Sequence, residues 1–240
     1  MDCGKTKIME AGSMKWKIIL KIVVDIGMMV TLLLLITYER IGAAAHEWLG
    51  IGMFGLFIIH HILNRKWIYC VFKGKYTWLR VWQTILVLGI LFTMIGSMYS
   101  GMILSEHALS FLPIKGGWAF ARSLHMICAY WGFILMSLHL GLHWGMMMGM
   151  AKRFVKECPM AGKRLFRGIA AFIAGYGIYA FIQREIGRYM FLKNHFAFFD
   201  FEEPLIFFLI DYIAVIFLFV WVSHYFSKGL RYIMQKKKVI

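Results

Sequence analysis

Six apolar segments, each long enough to cross a bilayer as a helix, most constrain what this 240-residue chain can fold into. The hydrocarbon core of a membrane requires about 20 predominantly apolar residues for each spanning helix. Charged residues make up only 16% of the chain, whereas soluble domains contain about 25%, which argues against a water-soluble enzyme. The sequence therefore predicts an all-α, polytopic membrane helical bundle with spans at 16–38, 46–64, 81–104, 123–150, 168–191 and 204–227.

Basic residues predict the orientation of the bundle. Twenty of the 27 Lys and Arg residues lie in the first 17 residues, in the connections at 65–80 and 151–167, and after residue 227, whereas the alternate connections contain six. By the positive-inside rule, both termini and the two basic loops are cytoplasmic. The net charge of +15 thus reflects topology, and no nucleic-acid partner is needed to explain it.

The cysteines and a glycine motif do not indicate a binding site in this chain. The four cysteines are scattered without a C-x-x-C pair, so neither a disulfide framework, a zinc site nor covalent haem attachment is indicated. The glycines at 50, 52 and 55 match G-x-G-x-x-G but lie inside an apolar span, where small residues for helix packing are the better interpretation.

Two histidine pairs with equal spacing point to the chemistry. His46 and His60 lie in the second span and His125 and His139 in the fourth, and each pair is 14 residues apart. On a helix, this spacing gives a rise of about 21 Å and leaves the side chains within about 40° of one face. Because the two spans run in the same direction, His46 is level with His125, and His60 with His139. Two imidazoles at one level suit a six-coordinate haem iron, so these four metal ligands predict two non-covalent b-type haems.

Neighbouring side chains leave alternatives open. A lone intramembrane histidine can equally be a hydrogen-bonded packing residue or part of a proton relay. His143 follows His139 by one turn and could replace it as ligand, line a quinone pocket or bind a haem propionate, while His61 could replace His60. Arg122, one turn before the outer histidine of the fourth span, could pair with a propionate or act as a topological or headgroup-binding charge. The remaining histidines, at 107, 195 and 224, suit surface or interfacial roles.

Two acidic residues lie inside predicted spans, Asp25 in the first and Asp211 in the last. A carboxylate at membrane depth must be paired, protonated or exposed to water, so each could accept a proton from a quinol or form a structural hydrogen bond. Lys21, one turn from Asp25, is the expected partner in the structural interpretation.

Residues 20–150 resemble the flavinylation-associated cytochromes, a family of small bacterial membrane proteins. The matching residues are His46-Glu47-Trp48-Leu49-Gly50, His60, Asn64, Ser100-Gly101, Ser105, Gly116-Gly117-Trp118, and the run from His125 through His139-Leu140-Gly141-Leu142-His143-Trp144. The resemblance implies a four-helix, di-haem cytochrome b-like core in a bacterial cytoplasmic membrane. It also implies electron transfer to extracytoplasmic flavoproteins.

The expected organisation is a cytoplasmic segment at 1–15, the four-helix di-haem core at 16–150, a basic loop at 151–167, two additional transmembrane helices at 168–227 and a basic tail at 228–240. Three functions are compatible with it. They are transmembrane electron transfer from a quinol or cytoplasmic donor, the membrane subunit of a ferric or quinone reductase, and a non-redox anchor or transporter.

Overall fold

Helices account for all the regular structure that this computed structural model describes, with no strand among the described residues. Those residues are 3–71, 73, 76–112, 114, 116–151, 160–194 and 202–236. In chain order the helices are α1 (Cys3–Leu35), α2 (Tyr38–Ile41), α3 (Ala43–Leu63), α4 (Arg65–Val71), α5 (Trp78–Leu104), α6 (Trp118–Ala151), α7 (Met160–Gln183), α8 (Ile186–Met190) and α9 (Leu205–Lys236).

Six of these helices, α1, α3, α5, α6, α7 and α9, are long and apolar enough to cross a membrane. Their candidate spans contain 20 to 32 residues and have mean hydropathies of 1.2 to 2.7. Large apolar side chains are widely exposed on them; the exposed fraction is 72% for Phe92 and 78% for Phe172. Such a surface is suited to lipid, where helices also satisfy their own backbone hydrogen bonds. The predicted all-α membrane bundle with six spans is confirmed.

The fifth span ends earlier than its predicted limit. The prediction placed its end at 191, but α7 ends at Gln183. Glu185 then adopts a left-handed backbone conformation (φ 49°, ψ 27°), which interrupts a right-handed helix, and the chain resumes as α8. The preceding residue, Arg184, forms ion pairs with Glu203 and Asp211, which lie 19 and 27 residues further along the chain. These long-range ion pairs fix the end of α7, and an apolar count cannot detect them.

The terminal segments also differ from a simple loop-and-span picture. Helix α1 begins at Cys3, and α9 continues to Lys236 instead of ending at the predicted span limit of 227. Residues 152–159 of the predicted basic loop, and His195, lie outside the described residues. The cytoplasmic assignments and the division into a core and two additional helices stay predictions.

The described chain forms two compact units. The first unit contains α1–α4 together with residues 106–108. Its long helices α1 and α3 are antiparallel, since Lys21 bonds to Asn64 near one end and Gly27 faces Leu56 further along. The Glu47 carboxylate anchors residues 106–108, accepting backbone N–H groups at 3.0, 3.0 and 2.7 Å.

The second unit contains α5–α9 and is closely packed. A Cβ on Gly141 of α6 would lie 2.5 Å from the Val220 carbonyl oxygen and 2.7 Å from the Ser223 Cβ of α9. The two helices therefore approach through their backbones, which only a glycine at 141 permits. Helix α5 is antiparallel to α6: a Cβ on Gly132 would lie 3.3 Å from Thr93 Oγ1, and Ser100 contacts His125.

Candidate functional site

The four predicted haem ligands lie on two uninterrupted helices. His46 and His60 belong to α3 in the first unit, and His125 and His139 belong to α6 in the second. All four side chains are half-buried. Because each helix is continuous between its two histidines, the 14-residue spacing does place each pair near one helix face. The pairing of histidines from different helices stays a prediction of the spacing.

His60 is hydrogen-bonded to a carboxylate from the neighbouring helix. Its Nδ1 lies 2.8 Å from Oδ1 of Asp25 on α1. Since a carboxylate can only accept, His60 donates from Nδ1, and the lone pair of the neutral ring is on Nε2. The Asn64 side-chain amide donates to the His60 carbonyl at 2.9 Å and lies 3.4 Å from Nε2.

Lys21 adds a second polar contact one helical turn away. Its ammonium donates to Asn64 Oδ1 at 2.9 Å. Helices α1 and α3 are therefore joined by two side-chain hydrogen bonds, Lys21–Asn64 and Asp25–His60. The sequence had suggested Lys21 as the partner of Asp25. The cross-helix partner His60 takes that place, since its ring nitrogen reaches the carboxylate directly.

His61 has a different environment from its neighbour. Its Nδ1 lies 2.9 Å from the carbonyl oxygen of Phe57, one turn earlier on the same helix. The centroids of the His61 and Phe57 rings are 4.2 Å apart. This bond also leaves the lone pair of the neutral ring on Nε2. Hydrogen bonding therefore does not choose between His60 and His61, and the equal spacing remains the argument for His60.

His125 is held by a hydroxyl from α5. Its Nδ1 lies 3.1 Å from Oγ of Ser100, which is fully buried. The Ser100 hydroxyl donates to the Gly96 carbonyl at 2.6 Å, so its oxygen accepts from Nδ1 of His125. The lone pair of the neutral ring is then on Nε2. Metal-ligating histidines commonly show this arrangement, with one ring nitrogen donating to an oxygen and the other facing the metal.

His139 and His143 lie side by side at the other end of α6. Their ring centroids are 4.9 Å apart, and the ring planes are inclined at 67°. Both side chains are half-buried, as one-turn spacing on a single helix face predicts. The structure thus brings His143 next to the predicted ligand, and the choice between the two remains open.

One cationic residue and two glycines near the histidines have different surroundings. Arg122 is exposed and precedes His125 by one turn, which is compatible with both of its predicted roles. Gly132 lies midway between the two histidines of α6, and the space beside its Cα is filled by the Thr93 side chain of α5. Close packing of the two helices therefore explains a glycine at this position. A Cβ on Gly50 of α3 would meet no described atom within 4 Å.

Asp211 belongs to a cluster that contains no histidine. Its carboxylate accepts from Tyr176 Oη at 2.5 Å and from Arg184 Nε at 2.8 Å, and Arg184 also forms a two-pronged ion pair with Glu203. Hydrogen bonding to Glu203 raises the pKa of the Arg184 guanidinium above its ordinary value. These contacts favour the structural interpretation of Asp211 over proton transfer.

Sequence reasoning missed two of these features. The sequence analysis named Ser100 only as part of a resemblance and did not predict its contact with His125. That contact arises because α5 and α6 are antiparallel neighbours, which brings the two residues to the same level. The ion pairs of Arg184 were not predicted, because residue 184 was included in the fifth span, which was placed at 168–191.

Comparisons of the chain with protein-family models, with curated proteins and with solved structures each returned no match.

Proposed function

We propose that this protein transfers electrons across a membrane through two bis-histidine b-type haems. His46 and His125 would hold the outer haem, and His60 and His139 the inner haem. The observation that carries the proposal is the equal 14-residue spacing of two histidine pairs, each on one continuous membrane-length helix. Polar side chains inside a membrane cost free energy, so four histidines at matched spacing favour a common ligand.

The donor chemistry of the histidines fits this cofactor. The two ligands whose Nδ1 contacts are known, His60 and His125, both donate from Nδ1 to an oxygen and so present a neutral Nε2. Such outer hydrogen bonds orient an imidazole and strengthen it as a ligand. A bound haem would supply a one-electron iron couple, which no amino-acid side chain of this set supplies by itself.

The surrounding residues have supporting roles in the proposal. Arg122 would pair with an outer haem propionate, because guanidinium groups bind carboxylates through two parallel hydrogen bonds. His143 would contact the inner propionates or a quinone, next to His139. The apolar side chains of the bundle would exclude water from the histidines.

Direction and partners follow from the charge distribution and the resemblance. We place both termini on the cytoplasmic side of a bacterial cytoplasmic membrane, since 20 of the 27 basic residues lie in the segments on that side. Electrons would enter from a quinol or a cytoplasmic donor and leave to an extracytoplasmic acceptor. The resemblance to flavinylation-associated cytochromes suggests a flavinylated protein as that acceptor.

The direct test is a reduced-minus-oxidised absorption spectrum of the purified full-length chain, with haem counted per chain. We expect Soret and α bands of b type and two haems per chain. His107→Ala, which changes an exposed histidine outside the proposed set, should retain both haems. A wild-type protein without these bands would contradict the proposal and favour a non-redox anchor or transporter.

A further inference from the structure

Among the four proposed ligands, His60 and His125 donate from Nδ1 to groups of different charge. Nδ1 of His60 lies 2.8 Å from a carboxylate oxygen of Asp25, whereas Nδ1 of His125 lies 3.1 Å from the neutral hydroxyl of Ser100. Both contacts come from the adjacent antiparallel helix of the same unit. The chain therefore supports two chemically identical imidazoles in unequal ways.

The charge of such a partner affects the redox balance of a metal that the imidazole binds. A carboxylate that accepts from Nδ1–H draws the proton towards itself and makes Nε2 a stronger donor. A stronger donor and a nearby negative charge both stabilise ferric over ferrous iron, which lowers the reduction potential. A neutral hydroxyl has a much weaker effect of the same kind.

We infer that Asp25 is a positioning residue for His60 and makes the haem held by His60 the lower-potential haem of the two. This inference rests on the proposed function. Electron transfer from the inner to the outer site would then be energetically downhill, so one acidic side chain on α1 favours one direction of flow.

The neighbouring charge does not cancel this effect. Lys21 lies one turn from Asp25 on α1, but its ammonium is bonded to Asn64 and not to the ring of His60. Asp25 contacts the imidazole itself, and Coulomb interactions weaken with distance. The Asp25 side chain is 54% exposed, so the effect is expected to be moderate.

The experiment is a potentiometric titration of the full-length protein, followed at the haem α band, in wild type and in variants. We expect two waves in wild type, with the lower one missing in His60→Ala and in His139→Ala. Asp25→Asn should move only the lower wave to more positive potential, by about tenfold in the ferric-to-ferrous ratio, which is about 59 mV for one electron. Asp25→Glu keeps the charge and should restore most of the wild-type value.

Ser100→Ala is the matched control, because it removes the hydroxyl that contacts Nδ1 of His125 and should leave the lower wave unchanged. A titration in which Asp25→Asn moves neither wave, or moves the higher one, would overturn the inference while the haems remain. Coincident waves in wild type would overturn it as well. Absence of haem bands in wild type would instead contradict the proposed function.

Discussion

The two compact units pair the carboxylates of their helices in different ways. In the second unit, Arg184 joins Glu203 and Asp211, and Tyr176 donates to Asp211, so these charges satisfy one another. In the first unit, the Asp25 carboxylate is paired with an imidazole of α3 instead of a guanidinium. The identity of the partner thus distinguishes two intramembrane carboxylates that look alike in sequence.

The difference separates two roles of a carboxylate within a membrane-length helix. A carboxylate paired with Arg184 is fully engaged in holding helix ends together. A carboxylate paired with His60 orients a ring whose second nitrogen is a suitable metal ligand. We therefore expect substitutions in the second unit to reduce stability, and the Asp25 substitution to alter the histidine with little loss of stability.

Arg184→Met should have the largest effect on stability. The side chain is 19% exposed, and its removal leaves Glu203 and Asp211 without their cation. We expect a loss of about 3 kcal/mol in the free energy of unfolding, measured by denaturant titration in mixed micelles. The matched control is Arg188→Met, since its pair with Glu185 is exposed and therefore contributes little to stability. Equal losses in both variants would contradict a structural role for the Arg184 cluster.

Gly141→Ala tests the backbone contact that closes the second unit. The new Cβ would lie 2.5 Å from the Val220 carbonyl oxygen, so α6 and α9 must separate. We expect a loss of about 2 kcal/mol in the same unfolding measurement. Gly145→Ala, one turn further on α6, has no described atom within 4 Å of the new Cβ and should not destabilise the protein. An equal response at both positions would argue against close packing at 141.

Glu47→Gln tests the anchor of residues 106–108 in the first unit. The carboxylate accepts three backbone N–H groups, and an amide has only one accepting oxygen. We expect a loss of about 1 to 2 kcal/mol and faster hydrogen exchange of the amides at 106–108. Glu106→Gln keeps its backbone N–H and should leave that exchange unchanged. Unaltered protection in Glu47→Gln would show that another contact holds the segment.

Among the four test substitutions, Asp25→Asn should have the smallest effect on stability. The Asp25 and His60 side chains are 54% and 27% exposed, and exposed ion pairs contribute about 1 kcal/mol or less. The unfolding free energy should therefore change by less than in Arg184→Met. A loss as large as that of Arg184→Met would remove the distinction between the two carboxylates.

The number of spans could be predicted from the sequence, because a run of about 20 predominantly apolar residues is typical of a transmembrane helix. The sequence was also sufficient for the positions of His46, His60, His125 and His139 along their helices, since a continuous helix fixes their rise and rotation. These properties are local and depend on residues within one helix.

The remaining features depend on contacts between segments that are distant in sequence. The end of α7 is fixed by Arg184 through partners 19 and 27 residues away. The partner of Asp25 is 35 residues away on α3, although Lys21 is only one turn distant. Local patterns cannot rank such partners, because the choice depends on how two helices are aligned.

The most direct measurement of the central claim is the haem content of paired histidine variants. If His60 and His139 hold the same haem, then His60→Ala, His139→Ala and the double variant should each retain one haem per chain. His46→Ala combined with His60→Ala should retain none. A His60→Ala/His139→Ala protein that lacks both haems, or a wild-type protein that binds none, would contradict the account.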